Sequence, residues 1–239
     1  MPEIFLLDAR FDSRTVTIRG EKARYLSAVL RCEPGAPLTL KDNRGNIYSA
    51  RIISATKSEV EAELLGRQEP EKEPALRLTV LQGLLKGEKM DLVVQKVTEL
   101  GASAIIPVVT ERSQVRETRK LPRWRKIAEE ASRQSGRSTI PEISDILLLE
   151  RFFAAPRVPP GMIFWEREGM AFRDAAEHFR GSRELALLTG PEGGFSETEI
   201  ERAVNAGFIA VSMGKRILRA ETASIAAVTV VQFAIGDLG

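Results

Sequence analysis

The sequence of 239 residues predicts an α/β protein in which a small strand-rich domain precedes a larger domain with a mostly parallel sheet. Short strands separated by turns fill residues 4–65. From Leu76 onward, buried strand patterns alternate with helical ones, which is typical of a parallel sheet. Between these parts, residues 66–74 are polar, carry prolines and lack apolar periodicity, so we predict a linker. The expected domains are therefore 1–70 and 74–239.

The N-terminal domain is predicted to combine short strands with one helix at residues 21–30. The segment Asn43-Arg44-Gly45-Asn46 is typical of a hairpin turn. The predicted strands are 16–18, 38–41, 47–55 and 60–65. A small β-barrel is the natural closure for strands of this length.

The C-terminal domain is predicted to alternate strands and helices. Ser196 followed by Glu199 forms a capping-box pattern, so a helix is expected to begin at Ser196. The predicted strands are 76–82, 104–108, 143–146, 162–165, 185–188 and 208–213, and the helices are 88–100, 122–136, 196–207 and 222–235. Rules on chain connections favour an unknotted doubly wound sheet.

Composition excludes several classes of function. The chain has one cysteine, Cys32, and one histidine, His178, which rules out an internal disulfide and argues against a His/Cys metal site or a Ser-His-Asp triad. The N-terminus has no signal-peptide pattern, and no apolar run reaches membrane-spanning length. We expect a cytoplasmic protein that binds neither metal nor membrane.

Two glycine-bearing loops follow two of the predicted strands. One is Gly190–Phe195 and the other begins at Gly214. Ligands of open α/β sheets bind outside the carboxyl ends of strands, where glycine allows the backbone to approach them closely. Neither loop matches a dinucleotide fingerprint or a P-loop, so a ligand held mainly by phosphates is not expected. The glycines could instead serve only turns and helix caps.

The sequences of these two loops resemble those of a known family. The string L-L-T-G-P-E-G-G-F-S-x-x-E at 187–199, followed by M-G-K-R-I-L-R-A-E-T-A at 213–223, resembles the ribosomal RNA small subunit methyltransferase E family. Further blocks in that family's order lie at 89–91, 95–101, 111–113 and 134–137. The family belongs to the SPOUT class of S-adenosylmethionine enzymes.

The resemblance implies a PUA-like first domain that helps to hold RNA and a SPOUT domain with a C-terminal trefoil knot. It also implies methyl transfer from S-adenosylmethionine to N3 of a specific uridine in 16S ribosomal RNA of the small subunit. The helix 222–235 is apolar on nearly every face and is predicted to be buried. In the SPOUT class such a helix also forms the interface of a homodimer.

Site residues are predicted from the strand-end loops together with the resemblance. The carboxyl end of strand 162–165 should form a third wall of the cofactor pocket. The predicted cofactor-binding residues are Phe164, Glu166, Leu188, Thr189, Gly190, Glu192, Gly193, Gly194, Met213, Gly214, Ile217, Leu218, Thr222 and Ala223.

Three charged residues are predicted to lie near the target base: Arg219, Glu221 and Glu192. Proton removal from uracil N3 requires a base or a cation that stabilises the deprotonated ring. Arg219 is predicted to be the cation that stabilises the deprotonated ring. A cation is unfavourable at a helix N-terminus, so an anionic partner is expected for Arg219, either RNA or one of the two carboxylates.

Basic residues cluster between 111 and 137, beside Trp124. This density of charge suits a phosphate backbone, and the alternative is a solvated helix face with internal ion pairs. The predicted RNA-binding residues are Arg10, Arg31, Lys86, Lys89, Arg112, Arg116, Arg123, Arg133 and Arg137. Other target sites, such as a ribose 2'-hydroxyl or transfer RNA, and a non-catalytic role in ribosome assembly stay open at this point.

Overall fold

The computed structural model describes residues 1–7, 11, 13–69 and 73–238. Contacts divide the chain into two compact units. The first unit comprises Met1–Glu73 together with Ser132–Ile140, and the second comprises Pro74–Ala131 and Pro141–Gly239. The segment 132–140, which the sequence places in the second domain, thus belongs by its contacts to the first unit.

The first unit is built on a five-stranded sheet whose order is β1-β3-β4-β5-β2. The strands are β1 (Glu3–Phe5), β2 (Thr15–Arg19), β3 (Pro37–Lys41), β4 (Ile47–Ala55) and β5 (Glu59–Gln68). A helix α1 (Glu21–Arg24) continues as a π-helical segment at Tyr25–Val29. The strands and the helix that the sequence predicts are confirmed, although no backbone ladder joins β1 to β2 within the described part of this unit.

Alternation of side chains explains how the sheet acquires its core. In β2, Val16 and Ile18 are buried while the residues on either side of them are exposed, as a period of two requires. The hairpin turn before β4 is also as predicted. Asn43 and Gly45 both adopt positive φ, and the Asp42 carboxylate accepts the N–H groups of Arg44 and Asn46.

The predicted linker begins too early. Strand β5 continues through Gln68, and Gly66 and Gln68 pair with Ser49 and Ile47 of β4. These last residues of β5 are exposed, so they show no apolar alternation from which a strand could be predicted. Residues 70–72 lie outside the described residues.

Glu73 fixes the segment 132–140 to the first unit. One carboxylate oxygen, Oε1, accepts the backbone N–H groups of Ser138 and Thr139 at 2.8 and 2.9 Å. The other, Oε2, accepts from Arg137 Nη2 at 2.9 Å. Burial alone would raise the pKa of Glu73, but the Arg137 charge and the donated hydrogen bonds outweigh it and lower that pKa.

We expect Glu73→Gln to destabilise the protein by about 1–2 kcal/mol at pH 7, because the substitution removes a partly exposed but multiply hydrogen-bonded charge. The depressed pKa contributes stability above the ordinary pKa of about 4.3, and that contribution disappears as pH falls through the folded value. Urea unfolding should therefore show a deficit that shrinks below about pH 4. The exposed Glu69→Gln is the control, and an equal effect from both would contradict this role.

The second unit contains a parallel sheet, as predicted, but in the described residues the sheet has eight strands rather than the six predicted, because the two-residue strands β9 and β11 were not expected. The main path is β11-β13-β10-β12-β6-β7-β8, and β9 also pairs with β7. The strands are β6 (Arg77–Gly83), β7 (Ala104–Val109), β8 (Glu142–Ile143), β9 (Leu147–Leu148), β10 (Gly161–Phe164), β11 (Met170–Ala171), β12 (Glu184–Thr189) and β13 (Phe208–Ser212). The predicted strand 143–146 is thus shorter and begins one residue earlier.

Helices connect these strands. They are α2 (Lys89–Glu99), α3 (Leu121–Gln134), α4 (Leu149–Phe153), α5 (Phe172–His178), α6 (Glu197–Asn205) and α7 (Ala220–Ala234). The capping box at the start of α6 is present as predicted: Ser196 Oγ accepts the Glu199 N–H, and the Glu199 carboxylate accepts the Ser196 N–H. The short helix α4 has no counterpart in the prediction. The trefoil knot stays a prediction.

Helix α7 is buried on only one side in the single chain. Ala227, Val228 and Val231 are buried, and the helix packs against α2 and β12. Phe233, in contrast, is 70% exposed. The predicted burial of this helix is therefore partial in the single chain, and the homodimer interface stays a prediction. No helix within the described ranges is both long and apolar enough to span a membrane.

Candidate active site

A well-formed cleft of the second unit lies at the carboxyl ends of β10, β12 and β13 and has a volume of about 410 Å³. Strand β10 lies between the other two, so the loops that follow β12 and β13 form opposite walls with the end of β10 between them. The three strand ends thus surround one cleft, and its use as the cofactor pocket stays a prediction. The first cleft, as we call it, is lined by Lys89, Phe164, Trp165, Glu166, Gly190, Pro191, Glu192, Gly193, Gly194, Phe195, Val211, Met213, Gly214, Arg216, Ile217, Leu218, Arg219, Ala220 and Ala223.

Most predicted cofactor residues lie on these walls, but Leu188, Thr189 and Thr222 do not. Leu188 is fully buried in the apolar core beneath the cleft. Thr189 is also buried, and its hydroxyl donates a hydrogen bond to Gln82 within the protein. Thr222 is exposed in the first turn of α7. A strand end alternates between the two faces of a sheet, so not every residue of a motif at its end can reach the same cleft.

A buried polar cluster supports the cleft from behind. The Thr189 hydroxyl donates to Gln82 Oε1 at 3.0 Å, and Ser224 Oγ hydrogen-bonds to the same oxygen and lies 3.0 Å from Thr189 Oγ1. Gln82 Nε2 donates to the Gly83 carbonyl at 2.9 Å. These bonds tie β6, β12 and the first turns of α7 together, and they satisfy polar groups that would be costly to bury alone.

Close backbone approach explains two glycines at the cleft. A Cβ on Gly83 would lie 2.5 Å from Pro191 Cδ and 2.8 Å from the Gly190 carbonyl carbon. A Cβ on Gly193 would lie 2.7 Å from the Arg112 carbonyl oxygen. At both positions a side chain would displace backbone atoms. At both positions the protein's own chain, rather than the ligand, requires glycine.

Lys89 joins the two predicted catalytic carboxylates. Its Nζ donates to Glu192 Oε1 at 3.0 Å and lies 3.8 Å from Glu221 Oε2. Glu192 Oε1 also accepts the Lys86 N–H at 3.2 Å. Burial would raise the pKa of Glu192, but the hydrogen bonds from Lys89 and from backbone N–H groups, with the Lys89 charge, lower it. Glu192 is therefore a weak base, and the main partner of both carboxylates is Lys89.

Arg219 is the N-cap residue of α7 and faces the first cleft. Neither Glu192 nor Glu221 pairs with it, since both lie beside Lys89. Within the described part of the chain, the Arg219 side chain forms no ion pair or hydrogen bond that would neutralise it. Its guanidinium is thus an exposed cation at the rim of a cleft that Glu166 and Glu192 also line, whereas the predicted catalytic residue Glu221 does not line it.

Several lining residues were not assigned to the pocket from the sequence. Lys89 was predicted, but as an RNA contact. The remaining apolar lining residues carry no local signal, because their position depends on how distant strands come together. Those outside the predicted stretches 164–166, 188–194 and 213–218 are Phe195, Val211 and Ala220.

The predicted RNA contacts separate into exposed cations and residues that are engaged within the protein. Arg31, Lys86, Arg112 and Arg116 are exposed. Arg10 lies outside the described residues. The other four are considered below.

Arg123, Arg133 and Arg137 are engaged by neighbouring side chains. The Arg123 guanidinium bonds to Asp91 at 2.8 Å and that of Arg137 to Glu73 at 2.9 Å. The Arg133 guanidinium carbon lies 4.9 Å from the Tyr25 ring centroid, in a cation–π contact. Each of these groups already has a partner, so an RNA phosphate would have to compete for it. Lys89 is engaged in the same way by Glu192.

Trp124 does not belong to a basic surface. Its side chain is 2% exposed, and its Nε1 donates to Asp91 Oδ1 at 2.9 Å. The expectation that its ring lies beside a phosphate backbone is wrong, because at this position of α3 the apolar face packs inward. Nor is any group of three or more His, Cys, Asp or Glu side chains placed to hold a metal ion among residues 1–7, 11, 13–69 and 73–238.

Comparison with known proteins identifies both parts of the chain. Residues 71–232 match the family model of the RNA methyltransferase domain, and residues 18–65 match that of the RNA methyltransferase PUA domain. Ribosomal RNA small subunit methyltransferase E of Synechocystis is 32% identical over 87% of this chain and 70% of its own length.

Two solved structures are similar over nearly the whole chain. Ribosomal RNA small subunit methyltransferase E of Neisseria gonorrhoeae, bound to S-adenosyl methionine, shares 36% identity with a TM-score of 0.91, covering 100% of both chains. A methyltransferase of Legionella pneumophila in complex with the same cofactor shares 33% identity with a TM-score of 0.90, covering 99% of this chain and 98% of that one. With its PUA-like first unit and SPOUT-type second unit, the chain belongs to the ribosomal RNA small subunit methyltransferase E family.

Proposed function

We propose that this protein transfers a methyl group from S-adenosylmethionine to N3 of a uridine in the 16S ribosomal RNA of the small subunit. The observation that carries the proposal is the first cleft, which combines glycine loops, an apolar floor and a cationic rim in a chain whose similar structures bind this cofactor. The activity follows the family, and the residue roles follow from the contacts described above.

The cleft fits the chemistry of the cofactor. S-adenosylmethionine supplies a methyl on a cationic sulfonium next to an adenosine, so apolar walls and backbone groups suit it better than a phosphate-binding nest. We assign its binding to the loops 190–194 and 213–218, with Phe164, Glu166 and Ala223 completing the walls. Gly194, at φ +67, brings its backbone close to Glu166, so the loop 190–194 and the chain after β10 reach the same space.

The charged rim suits attack by uracil N3, which carries a proton at neutral pH. Arg219 is placed to stabilise the negative charge that spreads over the ring as this proton leaves. Glu192, whose pKa is lowered, is assigned to holding Lys89 rather than to proton removal. Glu221 lies outside the cleft lining, and its buried Oε2 is 3.8 Å from Lys89 Nζ, so we assign Glu221, like Glu192, to positioning Lys89.

The division of labour between the two parts of the chain is also proposed. Residues 1–70 position RNA, and residues 74–239 hold the cofactor and the reacting base. In the second unit, the exposed cations Lys86, Arg112 and Arg116 are the groups we assign to RNA phosphates. In the first unit, Arg31 has the same role. Because the substrate is ribosomal RNA, we place the protein in the cytoplasm.

Transfer of a labelled methyl group from S-adenosylmethionine to different RNAs tests which RNA is the substrate. Purified protein is incubated with labelled cofactor and, in separate reactions, unmodified small subunits, large subunits and transfer RNA. We expect label in 16S RNA alone. Label in transfer RNA would support a different target, and cofactor binding without label in any RNA would support a non-catalytic assembly factor.

We further propose that α7 forms the interface of a homodimer. Its uncovered side presents Phe233, and Leu238 just beyond the helix is also exposed. Aromatic and aliphatic side chains exposed side by side at the end of an apolar helix are typical of a surface that a partner covers. A second copy of the chain would bury both.

We expect Phe233→Glu to convert a dimer into a monomer, because an unpaired charge would have to be buried at the interface. Light scattering on the eluted protein measures the mass directly. Leu65→Glu, a change of the same kind at an exposed leucine of the first unit, should leave the dimer intact. A monomeric wild type would contradict the proposed interface.

A further inference from the structure

A second cleft lies on the same carboxyl edge of the parallel sheet. Its volume is about 360 Å³, and it is formed by the ends of β7 and β9, by α4 and by the first turns of α6. The second cleft is lined by Val109, Thr110, Glu111, Arg116, Leu148, Leu149, Glu150, Phe153, Thr198, Glu199 and Arg202. Of these lining residues, Arg116 alone has been given a role above, as a contact to an RNA phosphate.

The backbone of Glu111 and Arg112 lies between the two clefts. The Arg112 carbonyl abuts Gly193 of the first cleft, where a Cβ would come within 2.7 Å of that oxygen. Glu111 lines the second cleft, and its N–H donates to Glu199 Oε1 at 2.8 Å. A group bound in the second cleft would therefore lie next to one bound in the first.

Hydrogen bonds on both sides hold the backbone of residues 111 and 112 between the two clefts in place. Ser113 is buried, and its Oγ accepts the Thr110 N–H at 2.9 Å and lies 3.0 Å from Thr110 Oγ1. Glu199, itself buried, fixes the other side through the Glu111 N–H. The block 111–113, which the sequence shares with the family, is thereby explained as a preorganised wall between two binding spaces.

The lining of the second cleft combines apolar side chains with two arginines and three glutamates, of which Glu199 is buried and already accepts the Glu111 N–H. Phe153 and Leu148 supply the apolar part, and Leu148 is 39% exposed although its chain neighbour Leu149 is buried. Arg116 and Arg202 supply the cations, and the Arg202 side chain is 55% exposed. Its nearest acidic group, Glu150, lies 3.8 Å away and is also exposed. Aromatic and aliphatic surface beside arginines is suited to a nucleobase and its phosphate.

We infer that the second cleft binds a nucleotide that flanks the target uridine, with its base against Phe153 and Leu148 and its phosphate at Arg116 and Arg202. An enzyme that modifies a base takes that base out of the stack, and its contacts to the flanking nucleotides select the sequence context. The inference rests on the proposed activity on RNA. It adds a specificity-determining site that does not touch the reacting atoms.

Equilibrium binding of unmodified small subunits, at saturating S-adenosylmethionine, tests the inference separately from catalysis. We expect Arg116→Ala and Arg202→Ala each to weaken binding about tenfold and to reduce the slope of log affinity against log salt by about 0.7–0.9, as loss of one phosphate contact requires. Arg183→Ala, at an exposed arginine near the opposite strand ends, is the matched control and should change neither quantity.

A second pair of variants tests the apolar part of the cleft. Thr198→Trp places a large side chain in the lining and should weaken subunit binding at least tenfold, whereas Glu201→Trp, an exposed change on the same helix outside the lining, should not. Calorimetry should give wild-type cofactor affinity for both. Wild-type subunit affinity and salt slope in the arginine and Thr198 variants would overturn the inference. Subunits that bind normally to the wild type but receive no methyl would instead overturn the proposed activity.

Discussion

Gly83→Ala is expected to abolish binding of S-adenosylmethionine, although Gly83 is not itself in the cleft lining. The added methyl would lie 2.5 Å from Pro191 Cδ and 2.8 Å from the Gly190 carbonyl carbon, which is far inside van der Waals contact. Backbone atoms cannot rotate away as a long side chain can, so the loop that follows β12 must move. We expect a loss of about 2–3 kcal/mol of stability and a cofactor affinity below detection.

Calorimetry and thermal unfolding of the same preparations measure both effects. Gly66→Ala is the matched control, because Gly66 has no positive φ and no atom within 4 Å of its added methyl. The control should bind the cofactor as the wild type does. If Gly83→Ala also remains folded with unchanged affinity, the loop 190–194 does not form the cofactor site.

Arg219→Ala is expected to slow methyl transfer by a factor of about 10²–10³ while cofactor affinity changes by no more than a few fold. The guanidinium lines the cleft, is exposed and has no anionic partner of its own in the described chain, so its charge is available to the uracil anion. An interaction that exists only as this charge develops alters the rate more than it alters ground-state binding.

Single-turnover rates at saturating subunits and cofactor isolate this effect from RNA binding. Lys215→Ala removes an exposed cation from the same loop at a position that does not line the cleft. That control should retain at least half of the wild-type rate. Equal rates for wild type and Arg219→Ala would remove Arg219 from the chemistry.

Features of the site that depend on local sequence were predictable. The capping box of Ser196 and Glu199 fixed the start of α6, because both partners lie within one helical turn. Glycine after each buried strand indicated the two loops of the first cleft. These features depend on residues that are close together in the chain, so a single sequence is enough to predict them.

Features that depend on distant contacts were not predictable. Nothing near Lys89 in the sequence shows that it faces two carboxylates more than a hundred residues away, and the charge alone suggested RNA. The sequence likewise suggested that Trp124 belongs to a basic surface. In the structure, its Nε1–H donates to Asp91, which the sequence does not indicate. The end of β5 was not predicted for a different reason. It is polar and exposed, and a strand without a buried face shows no alternation of apolar and polar residues from which it could be predicted.

The chemical position of the transferred methyl tests the central claim most directly. Unmodified small subunits are methylated with labelled S-adenosylmethionine, the 16S RNA is digested to nucleosides, and the labelled nucleoside is identified by chromatography and mass. The proposed mechanism predicts label only in 3-methyluridine, and a large reduction of that product with Arg219→Ala. Label in a 2'-O-methylated nucleoside, or in any base other than uracil, would contradict the account of a cleft built to stabilise a uracil anion.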